Sequence, residues 1–317
     1  MRNYKFDTAR TIAMFYIVGI FHLSGYVGYY LNDYYIGNTI CFSCLGLFTF
    51  MSGYLLGNKY NFNSYKDVLF FYRKRFIRIY PLFIIASISL YLIGLNDFKQ
   101  TIIGLIGLSP FVKQSPITLW YVSMIVVFYF ILPLLKRKTL QGKLLLLCAG
   151  GVLFVLLRIL GDVPIGSTFI YHYCIFTSGV ILSTHLSVKK FDMITSSVKL
   201  MTWSIVLYIL LLLLANYSFA NITIVKLGIG LVGVFSFLSF SAVIQNIFSI
   251  QRITFFLSYG SMVAYMFHRL FYWGALKLYC PETPFLKVLY LFVIILPVIM
   301  LASYFIQKTY DLSVKEI

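Results

Sequence analysis

The chain alternates long apolar runs with short polar and basic stretches along its whole length. Ten of the apolar runs are long enough to cross a lipid bilayer, for which an α-helix needs about 20 residues. We therefore predict an all-α fold with about ten membrane-spanning helices. Their approximate bounds are Phe6–Tyr30, Ile36–Gly57, Ile77–Leu95, Ile117–Leu135, Leu144–Leu160, Thr168–Leu186, Leu200–Tyr217, Ile222–Ile244, Ile253–Ala275 and Phe285–Ile306.

The basic residues between these runs predict an orientation. Most of the 26 lysines and arginines lie in the two termini and in every second loop, with a dense cluster in the loop 58–76. Because cytoplasmic loops carry the excess of Lys and Arg, both termini are predicted to be cytoplasmic. A further apolar run, Phe98–Phe111, is too short to span and is predicted to be a re-entrant or interfacial helix on the outer side.

Composition supports this class and excludes others. With 61% hydrophobic residues, 11% charged residues and a mean hydropathy of +0.90, the chain has too little polar surface for a soluble globule. The net charge of +17 does not predict nucleic-acid binding, because the cations lie in short clusters between apolar runs. Of the five cysteines, Cys41 and Cys44 have a C-x-x-C spacing but lack a second pair or a nearby His with which to hold zinc, and no metal is expected. We expect one membrane-embedded domain over residues 1–317, with no attached soluble domain.

The first apolar run carries two ionisable residues, Arg10 and His22. Ionisable side chains inside a membrane span are costly and indicate function by default. Twelve helical residues place His22 about 18 Å deeper than Arg10. A cofactor anchored by Arg10 at the inner face would reach His22 with its reactive end. The alternatives are a topology anchor for Arg10 and a packing histidine for His22.

A second basic cluster precedes the third span in the stretch FFYRKRFIRIYP, residues 70–81. Arg75 and Arg78 are three residues apart and share a helix face, and Arg73 adds charge beside them. Guanidinium groups bind phosphate bidentately and stay charged. The cluster is therefore a candidate site for an anionic cofactor. Its alternative role is to anchor the chain to anionic lipid at the inner interface.

Several separated stretches resemble the acyltransferase-3 family of integral membrane acyltransferases. The stretch FDTARTIAMFYIVGIFH resembles its opening Asp-x-x-Arg…His helix, and SGYLLG resembles the end of its second span. The stretch FYRKRFIRIYPLF resembles its Arg-x-x-Arg-Ile-x-Pro element. Two later stretches, TLWYVSMIVVFYFILPLL and SYGSMVAYMFHRLFYW, resemble its Trp-Phe/Tyr-Leu span and its late Ser…Tyr…His-Pro span.

This resemblance implies transfer of an acyl group, commonly acetyl, from cytoplasmic acyl-CoA to a hydroxyl of a cell-surface polysaccharide or glycolipid. The expected location is the bacterial plasma membrane. The family's first-span Arg and His correspond to Arg10 and His22, and the arginine element implies acyl-CoA binding by Arg73, Arg75 and Arg78. An imidazole suits proton removal from a hydroxyl, so His22 is the candidate general base. Direct transfer is preferred, and an acyl-enzyme intermediate stays open.

The chain departs from the family pattern between Arg10 and His22. Eleven residues separate them, whereas the family has ten. In an ideal helix the family spacing leaves the two side chains about 20° apart around the axis, and the present spacing leaves them about 120° apart. Either a one-residue π-bulge near Gly19 restores the register, or the two side chains need not share a face. A second departure is Arg269, where the family often has proline.

Four further residues are candidates for binding the acceptor. His268 and its neighbour Arg269 lie in the predicted outer half of the ninth span, where they would orient a sugar. Trp120 and Tyr121, at the predicted outer entrance of the fourth span, would stack on it. The alternative for His268 is a packing histidine bonded to a neighbouring span.

A different function class fits the same hydropathy. A transporter or flippase for glycans or lipid-linked precursors would also show ten spans, a cation bias and an intramembrane histidine. Transporters often contain internal repeats with matching broken helices, and no convincing repeat is found between the halves of this chain. This favours the enzyme. A third class, an assembly factor without chemistry, has no need of the Arg75 and Arg78 pair.

Overall fold

The computed structural model of the protein describes residues 3–28, 34–112, 115–160, 167–214, 223–248 and 250–315. Within these ranges the chain forms helices and turns and no β-strand, which confirms the all-α prediction. Six helices in the described ranges are long and apolar enough to cross a membrane, or seven if the bent pair Val188–Thr195 and Val198–Leu214 forms one span. The total of ten spans and the cytoplasmic termini stay predictions. The predicted span ends Tyr30, Tyr217 and Ile222 lie outside the described residues.

Fifteen α-helices, numbered along the chain, make up the described fold. They are α1 Tyr4–Tyr16, α2 Leu23–Val27, α3 Tyr34–Lys59, α4 Tyr65–Leu92, α5 Phe98–Leu105, α6 Trp120–Arg137, α7 Leu140–Leu160, α8 Ser167–His185, α9 Val188–Thr195, α10 Val198–Leu214, α11 Thr223–Ile247, α12 Gln251–Tyr259, α13 Ser261–Leu278, α14 Pro284–Leu289 and α15 Leu296–Lys315. Two π-helical segments, Ile17–His22 and Tyr290–Ile295, join α1 to α2 and α14 to α15. The run predicted over Phe98–Phe111 forms α5 and a 3-10 turn at Ser109–Phe111.

The described chain packs as two units. The first unit combines Met1–Leu47 with Asp192–Ile317, so that the two ends of the sequence fold together. The second unit is the continuous stretch Phe48–Phe191. Arg10, His22, His268 and Arg269 belong to the first unit, whereas the α4 arginines and the Trp120–Tyr121 pair belong to the second.

The first unit is built around α1, which packs against α11, α12 and α13. The π segment after α1 contacts the second π segment at a glycine. A Cβ atom at Gly19 would lie 2.6 Å from Leu296 Cδ2 and 3.5 Å from the Phe292 ring. Absence of a side chain at this position therefore allows the two irregular segments to approach closely. Gly28, with φ +85°, ends α2 in a conformation that glycine adopts without strain.

The predicted ninth span, Ile253–Ala275, is not one continuous helix. It is divided at Gly260 into α12 and α13. A Cβ atom at Gly260 would lie 2.7 Å from the backbone carbon of Ser303 and 2.7 Å from the amide nitrogen of Tyr304, both on α15. The break thus occurs where α15 packs backbone to backbone against the chain. Hydropathy did not show it, because apolar residues continue on both sides.

In the second unit, small residues let α3 and α8 pack closely. Gly53 and Gly57 on α3 face Gly179 and Ser183 on α8 at the same four-residue spacing. Such small-xxx-small patterns allow membrane helices to bring their backbones together. The SGYLLG stretch, which contains Gly53 and Gly57, therefore has a packing role in this fold.

The helix that carries the basic cluster begins at a defined cap. Ser64 accepts a hydrogen bond from the Asp67 backbone N–H, and the Asp67 carboxylate accepts one from the Ser64 backbone N–H. This capping box satisfies donors that the first turn of a helix leaves free. It fixes where α4 starts.

Candidate active site

The central feature of the first unit is a direct contact between two histidines. Nδ1 of His22, the last residue of the first π segment, lies 2.8 Å from Nε2 of His268 on α13. The ring planes are inclined by only 4° and the ring centroids are 4.8 Å apart. Rings stacked face to face keep their atoms about 3.5 Å apart, which is more than the 2.8 Å between these two nitrogens. The rings are therefore nearly parallel but meet at the two nitrogen atoms as a hydrogen-bonded pair rather than as a face-to-face stack.

His268 is held on its other side by the backbone of its own helix. Its side chain is fully buried, and its Nδ1 lies 2.8 Å from the carbonyl oxygen of Tyr265 and 3.2 Å from that of Ala264. His22 is half-buried. Of the two imidazoles, His22 is therefore the one with surface open to a reactant.

The π segment places His22 on the side of the helix that meets α13. A π turn accommodates one residue more than an α turn, so it absorbs the extra residue between Arg10 and His22. Of the two alternatives that the sequence left open, the structure therefore shows the π-bulge, in a segment that runs from Ile17 to His22 and includes Gly19. The widened turn also presents a backbone carbonyl to α13, where the Tyr272 hydroxyl donates to the Val18 oxygen at 3.1 Å.

Arg10 lies in a polar layer where α1 meets α12. Its guanidinium Nη1 is 3.9 Å from Oδ1 of Asp7, one helical turn earlier. Asp7 is buried and accepts a hydrogen bond of 3.0 Å from the Ser258 hydroxyl. Thr11 donates to the Asp7 backbone oxygen at 2.9 Å and contacts the Thr254 oxygen at 3.3 Å. The Asp7 carboxylate therefore places a negative charge opposite the Arg10 guanidinium. Its own position is fixed by the hydrogen bond from Ser258 on α12.

Arg269 stands at the position where the family often has proline. It directly follows His268 in the sequence and is half-buried. Its backbone oxygen accepts a hydrogen bond of 3.4 Å from the Tyr26 hydroxyl of α2. The Tyr26 and Tyr272 rings meet with centroids 5.3 Å apart. Tyr26 of α2 and Tyr272 of α13 therefore pack against each other on the α2 side of the histidine pair.

In the second unit, the α4 arginines lie beside an apolar cleft of about 320 Å³ between α4 and α6. Arg73 and Arg75 line this cleft together with aromatic and aliphatic side chains. Arg78 is exposed and does not line it. The lining residues are Tyr72, Arg73, Arg75, Phe76, Ile79, Tyr80, Val126, Tyr129 and Phe130. The three-residue spacing predicted that Arg75 and Arg78 share a helix face, whereas in the structure Arg75 and Arg73 line the cleft.

Arg75 is oriented by aromatic residues. Its Nη2 donates to the Tyr60 hydroxyl at 3.1 Å, and its guanidinium carbon lies 5.7 Å and 5.8 Å from the centres of the Tyr60 and Phe71 rings. Its Nε is buried and has no hydrogen-bond partner among the described residues. A guanidinium with an unused donor, held flat beside a cleft, suits an anionic oxygen.

Trp120 and Tyr121 lie at the start of α6, but their environments differ. Tyr121 is buried, and its hydroxyl shares a 3.0 Å hydrogen bond with Thr49 Oγ1. Thr49 also contacts His172 Nδ1 at 2.9 Å. Trp120 is half-buried, with its ring centre 6.2 Å from that of His172. Of the two, Trp120 retains the surface that stacking on a sugar would need. No motif or spacing in the sequence singled out His172.

Comparison with known proteins adds the last observation on this site. A family model described as an acyltransferase domain, that of the acyltransferase-3 family, matches residues 3–307 of the 317-residue chain. The match spans both units and includes every candidate residue named above. No curated protein and no solved structure gives a significant match.

Proposed function

The chain belongs to the acyltransferase-3 family, and from this premise we propose that it is a multi-pass membrane O-acyltransferase that uses acyl-CoA. The proposed donor is cytoplasmic acetyl-CoA, and the proposed acceptor is a hydroxyl of a cell-surface polysaccharide or glycolipid. The proposed location is a bacterial plasma membrane. The observation that supports this most strongly is the His22–His268 pair inside apolar helices, since an intramembrane imidazole is costly without a function.

The proposed reaction uses His22 as the general base. The acceptor oxygen attacks the thioester carbonyl carbon, a C–O bond forms, and the proton of the hydroxyl passes to His22. The C–S bond then breaks, and the CoA thiolate receives that proton from His22. The products are the O-acyl ester and free CoA, so atoms and charge balance. This direct route needs no covalent intermediate on the protein.

The arginines of α4 are the proposed binding site for the phosphate groups of acyl-CoA. Support comes from Arg75, whose buried Nε lacks a partner among the described residues, and from the cleft beside it. Arg73 lines the same cleft, and the exposed Arg78 adds positive charge on the same helix. Arg10, opposite Asp7, is a further proposed donor contact. For the acceptor, Trp120 is the proposed stacking surface, with Tyr121 and Arg269 as further candidates.

The function is tested by incubating the purified protein in lipid nanodiscs with acetyl-CoA and a membrane and cell-wall extract, and by measuring free CoA. We expect CoA release that requires both the extract and His22, with His185→Gln as the matched histidine control. A flippase has no use for a thioester. Release that is equal for wild type and His22→Gln, or absent from both while glycan export depends on the protein, would contradict the enzyme.

A further inference from the structure

We infer that His268 is a positioning residue that fixes the tautomer of His22, so that His22 carries its proton on Nδ1 and presents Nε2 as the base nitrogen. The inference rests on the proposed function for its chemical purpose, but its structural content can be measured without activity. It assigns His268 a role different from the acceptor binding that its sequence position suggested.

Nδ1 is the nitrogen of His268 that faces the backbone of its own helix. Nδ1 lies 2.8 Å from the Tyr265 oxygen and 3.2 Å from the Ala264 oxygen. Backbone carbonyl oxygens only accept hydrogen bonds. An unprotonated Nδ1 would direct its lone pair at two oxygens inside a fully buried site, where an unpaired polar group is costly. The Nδ1 of His268 therefore carries a proton.

Nε2 is the nitrogen of His268 that faces His22. In a neutral imidazole only one ring nitrogen carries hydrogen, so Nε2 is an acceptor. A doubly protonated ring would place a cation in a buried position beside Arg269, and no carboxylate among the described residues lies within ion-pair distance of His268. The neutral form is favoured because a buried charge without a partner is strongly disfavoured.

The protonation state of His268 determines which nitrogen of His22 carries hydrogen. The contact of 2.8 Å between His22 Nδ1 and His268 Nε2 needs one hydrogen between the two nitrogens. Since His268 Nε2 has none, the hydrogen belongs to His22 Nδ1. Neutral His22 then has its lone pair on Nε2, the nitrogen turned away from His268.

The chemical consequence follows when His22 takes the acceptor proton. The proton adds to Nε2, and the resulting imidazolium keeps its Nδ1–H bond to the His268 lone pair. His268 thereby orients the ring and stabilises the cation without moving a proton itself. The aspartate of a Ser-His-Asp triad holds its histidine in the correct tautomer in the same way, and an incorrect tautomer there costs about 10⁴ in kcat. Since His268 is neutral, we expect a smaller effect of about 10²-fold here.

The direct test is ¹⁵N NMR on the full chain, labelled with ¹⁵N-histidine, in lipid nanodiscs. The chain has only four histidines, so single His→Gln variants assign every signal. We expect a protonated Nδ1 and an unprotonated Nε2 for His22, and a scalar coupling through the hydrogen bond to His268 Nε2. A His22 protonated on Nε2, or the absence of this coupling, would overturn the inference. Because the spectrum needs no substrate, it decides this point even if the proposed function fails.

A pair of variants tests the role in turnover. In His268→Gln the side-chain oxygen reaches the position of Nε2 and keeps an acceptor for His22. In His268→Asn the amide nitrogen keeps the backbone hydrogen bonds near Nδ1 but leaves no acceptor at Nε2. We expect His268→Asn to lower kcat about 10²-fold with unchanged KM for acyl-CoA, and His268→Gln to restore most of it. Equal kcat losses in both variants, or a loss that appears only as a raised KM for the acceptor, would refute the positioning role.

Discussion

The Ser258 hydroxyl donates a 3.0 Å hydrogen bond to the carboxylate of Asp7, although 251 positions separate the two residues. The contact joins α1, which carries Arg10, to the last turn of α12, just before the break at Gly260. Asp7 and Ser258 belong to two stretches that carry the family resemblance, and neither had a predicted role. This contact holds α1 against α12, and it fixes the position of the carboxylate that lies opposite Arg10.

This contact predicts different effects for two substitutions. Asp7→Asn removes the charge that orients Arg10 but keeps an acceptor for Ser258, whereas Ser258→Ala removes one charge-assisted hydrogen bond to the carboxylate and leaves its charge. We expect Asp7→Asn to weaken acyl-CoA binding by about 1.5–3 kcal/mol, because Arg10 loses the partner that orients it, and Ser258→Ala to cost about 1.5–3 kcal/mol of stability. Steady-state KM for acyl-CoA and thermal unfolding measure the two effects. Ser241→Ala, another buried serine whose hydroxyl bonds its own helix backbone, is the matched control. A normal KM for acyl-CoA in Asp7→Asn would contradict this account of Arg10.

The packing of α3 against α8 predicts a strong effect of a single methyl group. A Cβ atom at Gly53 would overlap the backbone oxygen of Phe176, which has no freedom to move aside. We expect Gly53→Ala to destabilise the protein by about 1–3 kcal/mol. Gly151→Ala on α7 is the control, since nothing lies within 4 Å of that Cβ position, and alanine favours a helix by up to about 1 kcal/mol. Thermal unfolding in detergent compares them, and equal stability of the two variants would refute the close contact.

The donor-site proposal predicts weaker acyl-CoA binding when an arginine of α4 is removed. Arg75→Ala and Arg78→Ala should each weaken acyl-CoA binding, by about 1.5–3 kcal/mol for every charge-assisted contact that is lost. Acceptor preference should not change. Equilibrium binding of a non-hydrolysable acyl-CoA analogue measures this directly. Lys66→Ala removes an exposed charge near the start of the same helix and serves as the control. Unchanged affinity in both arginine variants would assign these residues to lipid anchoring.

The predicted orientation has a test that uses a native residue. Cys280 is exposed and lies in the turn between α13 and α14, which the basic-residue pattern places outside the cell. A membrane-impermeant maleimide should label Cys280 in intact cells. In a Cys148→Ser, Cys280→Ser background, Lys66→Cys should be labelled only after permeabilisation. The reverse labelling pattern would contradict the orientation and the cytoplasmic side assigned to the donor.

Sequence reasoning predicted well what depends on one helix. Hydropathy alone indicated a helical membrane protein. Comparison with the family spacing showed one extra residue between Arg10 and His22, which the π segment Ile17–His22 absorbs. The break at Gly260 was not predicted, because it depends on the approach of Ser303 on another helix. The contact between His22 and His268 was not predicted for the same reason: it depends on how the helices pack, which hydropathy and spacing within one segment do not show.

The arginine cluster shows the same limit. Three-residue spacing on an ideal helix groups Arg75 with Arg78, but the cleft is formed by α4 and α6 together and includes Arg73 instead. The orientation of Arg75 depends on Tyr60, which lies outside α4 and reaches the guanidinium at 3.1 Å. Spacing identifies which side chains lie on one face, whereas the neighbouring elements decide which of them enter a site.

We propose that His22 acts as the general base in acyl transfer to a surface glycan, and mass spectrometry of surface glycans measures this directly. The glycans come from cells that lack the protein, carry the wild type, or carry His22→Gln at equal protein levels. Since removal of a general base typically costs about 10²–10⁴ in rate, we expect an acetyl mass increment on a glycan in wild-type cells that is almost lost with His22→Gln, while the amount of glycan is unchanged. An increment retained within a few-fold in His22→Gln cells, or a change in the amount of exported glycan without any change in its acetylation, would contradict it.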